Sequence, residues 1–327
     1  MTVLVTGGTG YVAGWVIVEL LKRGYDVRTT VRSAAKADAV RKAVATEVDP
    51  KLDFAVADLT SGDGWRDAVE GCDHVLHVAS PLGVSGQESL IEPARDGTLR
   101  VLRAATAAGV KRVVMTSAAN TASPSSYRDE GVSDEILWTD PDDPTLQPYR
   151  RSKTVAERAA WDYMASQEGT SLTTILPGAV FGPVLTADNL GSTQIIARLL
   201  GGMPGTPKIG FEIVDVRDLA DLHIRAMTTP EAAGERFLGT GEFMWMRDMA
   251  RALRAGLGDA ARKVPTRNLP NLVVRLAALG DPTLREIMPA LGRRHRHSTA
   301  KAERVLNWRP RPAAETVVAC GRSLGTR

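Results

Sequence analysis

The sequence predicts an α/β protein: a doubly wound parallel sheet with helices on both faces and a smaller C-terminal lobe. Three observations carry this expectation. Short β-branched runs alternate with helical patterns over residues 1–176, which requires right-handed crossovers and parallel strands. A cluster of glycines, Gly7, Gly8 and Gly10, separates the first such run from the first helical pattern. After about Pro177 the texture becomes Gly- and Pro-rich, then basic and helical, which sets residues 177–327 apart as a substrate lobe, with some strands free to return to the first domain.

Val3-Leu4-Val5-Thr6 is a β-branched run that stops at glycine and reads as a buried strand. From Val12 to Arg23 apolar residues recur at helical spacing, with Lys22 and Arg23 in the last turn and Gly24 as the stop. Asp26–Arg32, Phe54–Ala57, His74–Ala79, Arg112–Ser117 and Leu172–Leu176 follow as strands. Helices are expected from about Glu88 to Ala108 and from Tyr149 to about Gln167.

The bulk numbers exclude several classes. A chain of 327 residues with 43% hydrophobic and 24% charged residues can bury a large core. A formal charge of +3 does not demand an acidic partner, so no nucleic acid is expected. Cys72 and Cys320 form neither a CxxC pair nor a disulfide ladder, which suits a reducing compartment. His74 and His77 lack further ligands at metal-binding spacing, so no metal is expected. The first twenty residues lack a basic start and are interrupted by glycines, and no uncharged run reaches membrane-spanning length. The composition therefore predicts a cytoplasmic protein without a membrane partner, monomeric or homodimeric.

Thr6-Gly7-Gly8-Thr9-Gly10-Tyr11-Val12-Ala13 lies where a strand meets a helix, the context of a Rossmann-type dinucleotide loop. Gly7 permits the tight turn, Gly10 lets backbone approach a pyrophosphate, and the helix N-terminus offers free N–H groups. After the second strand Val31-Arg32-Ser33 stands where an NAD site carries an acid. Arg32, assisted by Lys36, suits a 2′-phosphate and so predicts NADP(H). Asp58-Leu59 reads either as an adenine flank or as a turn. Tyr149 and Lys153 lie four residues apart, on one helix face. An ammonium beside a phenol lowers the phenol's pKa, making Tyr149 a candidate proton donor to a carbonyl oxygen.

These motifs occur in a fixed order with His77-Val78-Ala79-Ser80-Pro81, Leu176 to Pro183, Val214 to Ala220, and Ser298 to Pro310. With them the chain resembles the extended short-chain dehydrogenases/reductases, and within that family the dihydroflavonol reductases, cinnamoyl-CoA reductases and bacterial aldehyde or ketone reductases. The resemblance implies that Gly7, Thr9, Gly10, Tyr11 and Val12 hold the pyrophosphate and Arg32 the 2′-phosphate. It puts Asp58 and Leu59 beside adenine, and Val78, Ala79 and Ser80 beside the ribose. Pro177 and Val180 border the carboxamide, and Thr116 belongs to the same cofactor set. Tyr149 becomes the general acid, and Lys153 holds the nicotinamide ribose while depressing the Tyr149 pKa.

One departure from the family matters. In Thr116-Ser117-Ala118-Ala119-Asn120 the position of the family's catalytic hydroxyl is Ala118. Strand alternation puts Asn120 on the face of Ala118, so Asn120, or Ser117 in a register shifted by one, is the expected replacement donor. Pro81, Leu82 and Phe181 are expected at the substrate; Met203, Phe211, Met244 and Trp245 line the lobe or pack its core. Asp218 reads as the N-cap of a helix over Leu219–Met227, and Arg293–His297 as a solvated basic loop. The resulting expectation is an NADPH-dependent reductase of a small carbonyl compound, apolar or aromatic. The alternatives on the same scaffold are a 3β-hydroxysteroid dehydrogenase, a nucleotide-sugar epimerase or dehydratase, and a non-enzymatic NADP-binding regulator.

Overall fold

The computed structural model describes residues 1–81, 90–125, 131–186, 191–280, 285 and 288–325. The first half runs β1 (Thr2–Val5), α1 (Tyr11–Lys22), β2 (Asp26–Val31), α2 (Ala37–Val44), β3 (Leu52–Val56), α3 (Trp65–Val69), β4 (His74–His77), α4 (Ile91–Ala107) and β5 (Arg112–Thr116). It continues through β6 (Gly131–Ser133), α5 (Pro148–Met164), β7 (Ser171–Pro177), β8 (Ala179–Phe181) and α6 (Gln194–Gly201). The remainder is β9 (Gly210–Asp215), α7 (Val216–Thr228), β10 (Arg236–Gly239), β11 (Phe243–Trp245), α8 (Met246–Leu257), α9 (Asn271–Ala277), β12 (His295–His297), α10 (Ala300–Leu306) and α11 (Ala313–Gly325).

Seven parallel strands form the main sheet in the order β10-β7-β5-β4-β1-β2-β3. The order reverses between β1 and β4, the point at which open α/β sheets bind ligands. Val3, Leu4 and Val5 are fully buried because helices cover both faces. One face packs on α1 and α7, which bring in Val16, Ile17, Leu20, Leu219 and Leu222. The other packs on α4 and α5, through Val101, Leu102, Ala156 and Ala160. Each fully buried Val, Leu or Ile contributes roughly 2 kcal/mol of transfer free energy. A third cluster, around Phe181, Ile196, Ile213, Met249 and Val317, joins β8 and β9 to α6, α8 and α11.

β10 comes from the C-terminal half yet closes the main sheet beside β7. β8 pairs with β9 in parallel and β9 with β11 in antiparallel fashion, while β12 pairs with β6. The α7 cap differs from expectation: Asp215 caps the helix by accepting the Arg217 backbone N–H at 2.9 Å. Asp218, one turn in, instead accepts the Arg311 guanidinium and backbone N–H. The cap shifts because β9 runs directly into α7, so the last strand residue holds the extended backbone a cap needs. Among the described residues no helix is long and apolar enough to cross a membrane.

Candidate active site

The strand ends and the C-terminal half enclose a cavity of about 1090 Å³. At one end stands the glycine loop. Gly7 has φ +75, and a Cβ there would lie 2.9 Å from that of Ala79. The loop is pinned by Gly7 N–H donating to Thr30 Oγ1 at 2.8 Å and Gly8 N–H to the Thr30 carbonyl at 2.9 Å. Gly10 caps α1 in extended conformation without a side-chain cap, and the first turn carries no acid. Its N–H groups therefore present a positive helix end to the cavity. Thr6 Oγ1 accepts the Ala79 N–H at 3.0 Å and meets His77 Nδ1 at 2.9 Å, which ties the ends of β1 and β4 together. Burial, with Lys153 adding to it, pushes the His77 pKa down to about 3, so its ring is neutral.

Gly7, Thr9, Gly10, Tyr11, Val12, Arg32, Asp58, Leu59, Val78, Ala79, Ser80, Pro81, Thr116, Pro177 and Val180 all line this cavity. Lys36 is exposed in a short turn after β2 and does not reach the lining. The Tyr11 side chain turns inward and its hydroxyl has no hydrogen-bond partner among the described residues; burial pushes its pKa well up. Asp58 Oδ1 accepts the Thr60 N–H and hydroxyl, both at 2.8 Å, and so forms a turn while also facing the cavity. A glycine cradle at a helix N-terminus and a cation after β2 fit a phosphorylated dinucleotide.

Pro148 at the first position of α5, preceded by the extended Gln147, starts the helix that carries Tyr149 and Lys153 into the same cavity. Lys153 is 7% exposed, and its Nζ donates to Ser80 Oγ at 2.9 Å. Burial lowers its pKa to about 8, against a raising effect of Glu157. Here the structure corrects the sequence reading. Tyr149, 42% exposed with that surface opening into the cavity, has its pKa raised by burial. Desolvation of the phenolate sets the shift, and the Lys153 ammonium is turned toward Ser80.

Extended backbone ends at Ala118 and a 3-10 turn covers Ala119–Ala122. Ser117 also lines the cavity, but its hydroxyl donates to the buried Glu157 Oε2 at 2.6 Å, so it is not a free donor. Asn120 lines the cavity, and its Oδ1 is buried with no partner among the described residues. Phe181 is also displaced from its expected place: it is 0% exposed and packs edge-to-face on Phe211 at 6.3 Å. Strand alternation along β8 turns Val180 to the cavity and Phe181 into the core. Leu82 lies outside the described residues. Phe211 lines the cavity, whereas Met203 and Met244 pack on the third core cluster. Trp245 packs edge-to-face on Phe243 at 4.9 Å.

The basic run is not a solvated loop. His295–His297 is β12, and His295 and His297 line the cavity beside Ser123, Glu212, Phe243 and Arg293. None of Ser123, Glu212 and Phe243 stands out in the sequence. The alternation in Arg294-His295-Arg296-His297 is a strand signal masked by its charge. A second network missed in sequence surrounds Glu157, which is 0% exposed and bonds Ser117, Thr121, Thr174 and Arg236.

The sheet order, glycine cradle and Tyr149–Lys153 helix define a dinucleotide-binding protein of the extended short-chain dehydrogenase/reductase class. The family model described as "NAD dependent epimerase/dehydratase family" matches residues 3–238, and the chain belongs to that family. It is 38% identical over 258 residues to cinnamoyl-CoA reductase 1 of Petunia hybrida, covering 77% of this chain and 76% of the relative. It is 35% identical over 268 residues to dihydroflavonol 4-reductase of Zea mays, covering 77% and 73%. Among solved structures, Gre2 of Candida albicans in complex with NADPH superposes with a TM-score of 0.83 at 26% identity, covering 100% of this chain and 99% of that one.

Proposed function

We propose that this chain is an NADPH-dependent reductase that delivers hydride to an aldehyde or ketone, with Tyr149 as the general acid. The carrying observation is that Tyr149, Lys153, the Gly7–Val12 loop and Arg32 all line one cavity at the strand-order reversal. The family, and relatives whose names are those of reductases, support the reading. In it residues 1–176 form the cofactor side and residues 177–327 the substrate side, with β10 returning to the sheet.

NADPH, when bound, supplies the hydride. The loop N–H groups and Arg32 hold its phosphates. Tyr149, like any phenol of unlowered pKa, holds its proton at neutral pH, so it can donate it to the carbonyl oxygen as negative charge develops there. Lys153, charged below about pH 8, would hold the cofactor's ribose in place of its present partner Ser80. Asn120 replaces the absent hydroxyl at Ala118, with its side-chain amide N–H as the donor to the substrate oxygen. Such a second donor is worth about 3 kcal/mol in the transition state. Pro81, Phe211 and Phe243 give the substrate end an apolar, aromatic wall.

Loss of NADPH absorbance against a panel of aldehydes and ketones tests the reading. Tyr149→Phe is expected to lower turnover by about 10²-fold or more, and Asn120→Ala by a similar factor. Full turnover by Tyr149→Phe refutes the role of Tyr149. Binding of NADPH with no net consumption across the panel refutes the reductase.

A further inference from the structure

Ser123, His297 and Glu212 form a continuous chain in the wall of the cavity, and the reduction proposed above uses none of them. Ser123 Oγ lies 2.8 Å from His297 Nε2, and His297 Nδ1 lies 2.5 Å from Glu212 Oε2. The other Glu212 oxygen accepts the His297 backbone N–H at 2.6 Å. That second bond fixes the carboxylate in the plane it offers to the ring. Ser123 is 5% exposed, and the side chains of His297 and Glu212 are 6% and 10% exposed.

Three separate elements build the chain. Ser123 holds extended backbone immediately after the 3-10 turn that follows β5. Glu212 lies in β9, and His297 ends β12, which β6 holds in register through His297 opposite Ser133. Thr139 fixes the serine backbone by donating Oγ1 to the Ser123 carbonyl and accepting its N–H. Ser123 Oγ can also donate to the Ala119 carbonyl at 3.1 Å. The His297 contact is the shorter of the two, and the hydroxyl can turn its single proton to either.

A hydroxyl within reach of an imidazole, whose far nitrogen is held by a carboxylate, is the arrangement that activates a serine. We propose that Ser123, His297 and Glu212 act as nucleophile, general base and orienting carboxylate, giving this chamber a second activity toward activated carboxylic esters. Ser123 Oγ attacks the ester carbonyl carbon and its proton passes to His297 Nε2. The bond from carbon to the leaving oxygen breaks, and that oxygen takes the proton from His297. A water molecule then attacks the acyl carbon and gives a proton to His297. The acid is released, and the proton returns to Ser123. Glu212 stabilises the imidazolium formed at each stage. The balance requires only ester and water.

The test uses the full chain without any nicotinamide, so its outcome is separate from that of the reductase reading. The protein is treated with a fluorophosphonate, and in parallel with p-nitrophenyl acetate, and the adduct is mapped by peptide mass. The expected result is a single phosphonyl adduct on Ser123 of the unmodified protein, with p-nitrophenol released. His297→Gln should slow both reactions by about 10²-fold, and Ser123→Ala should abolish the adduct, with melting temperatures confirming that both variants fold. Absence of an adduct on Ser123 overturns the proposal. So does labelling of Ser123 at a rate that His297→Gln leaves unchanged, because the contact would then only tie β12 to the turn.

Discussion

Glu157 offers the sharpest test of how the site is held. It sits two turns after Tyr149 on α5, with no water contact. Its Oε1 accepts from Thr174 Oγ1 at 2.8 Å and Arg236 Nε at 2.9 Å, and its Oε2 from Ser117 and Thr121, both at 2.6 Å. It thereby clamps α5 to β7, to β10 and to the turn that presents Asn120. Glu157→Gln keeps the shape: its oxygen can still accept from Thr174, while its NH2 donates to Ser117 and Thr121, which turn from donors to acceptors. It removes the charge opposite Arg236, leaving that guanidinium with the Glu135 and Leu137 carbonyls and the Trp138 ring at 3.6 Å. Stranding a buried charge costs about 3–5 kcal/mol; the remaining contacts place this case at about 3 kcal/mol. For a chain of this size the melting temperature should fall by roughly 4–5 °C. Circular dichroism melting of wild type, Glu157→Gln and Glu157→Leu/Arg236→Met measures it, and the apolar double variant should recover part of the loss. A shift under about 2 °C for Glu157→Gln would show that the pair does not hold the site together.

Two further predictions concern the cofactor side. Arg32→Ala should raise the Kd for NADPH by about 10–10²-fold, the worth of one charge-assisted contact, and leave NADH binding unchanged; fluorescence titration with both nucleotides separates the two, and an equal loss for both would refute the 2′-phosphate role. For Lys153, burial lowers the pKa from 10.5 to about 8. Turnover that depends on its ammonium should therefore fall as pH rises through about 8, a limb that Lys153→Met should lack. The sign for stability is the reverse. Between about 8 and 10.5 the unfolded lysine still binds a proton that the folded one has lost, so stability gains with rising pH across that window. Melting temperatures of wild type and Lys153→Met over that range should diverge in this sense.

Much of the architecture was legible because it rests on local chemistry. The β-branched run of β1, the glycine turn and the stop at Gly24 each follow from backbone sterics within a few residues. Arg32 was readable because its place after β2 is set by the same short unit. What failed was whatever depended on a partner far away in sequence. In sequence a helix start looks the same with Asp215 or Asp218 as the cap, and only β9 running straight into α7 selects Asp215. Phe181 reads as a substrate residue in sequence because a three-residue strand has no period long enough to show which side faces the core.

Sequence alone determined the parallel sheet, the glycine loop between β1 and α1, and the pairing of Tyr149 with Lys153 on one helix face. These are properties of segments shorter than about two turns or one strand–turn–helix unit. Tertiary structure alone decided the electrostatics and the far wall of the chamber. Lys153 proved to serve Ser80 and Tyr149 to be governed by desolvation, because a pKa depends on how much water burial removes. Ser123, Glu212 and His297 come together across 174 residues of chain, through a strand pairing that no local pattern specifies.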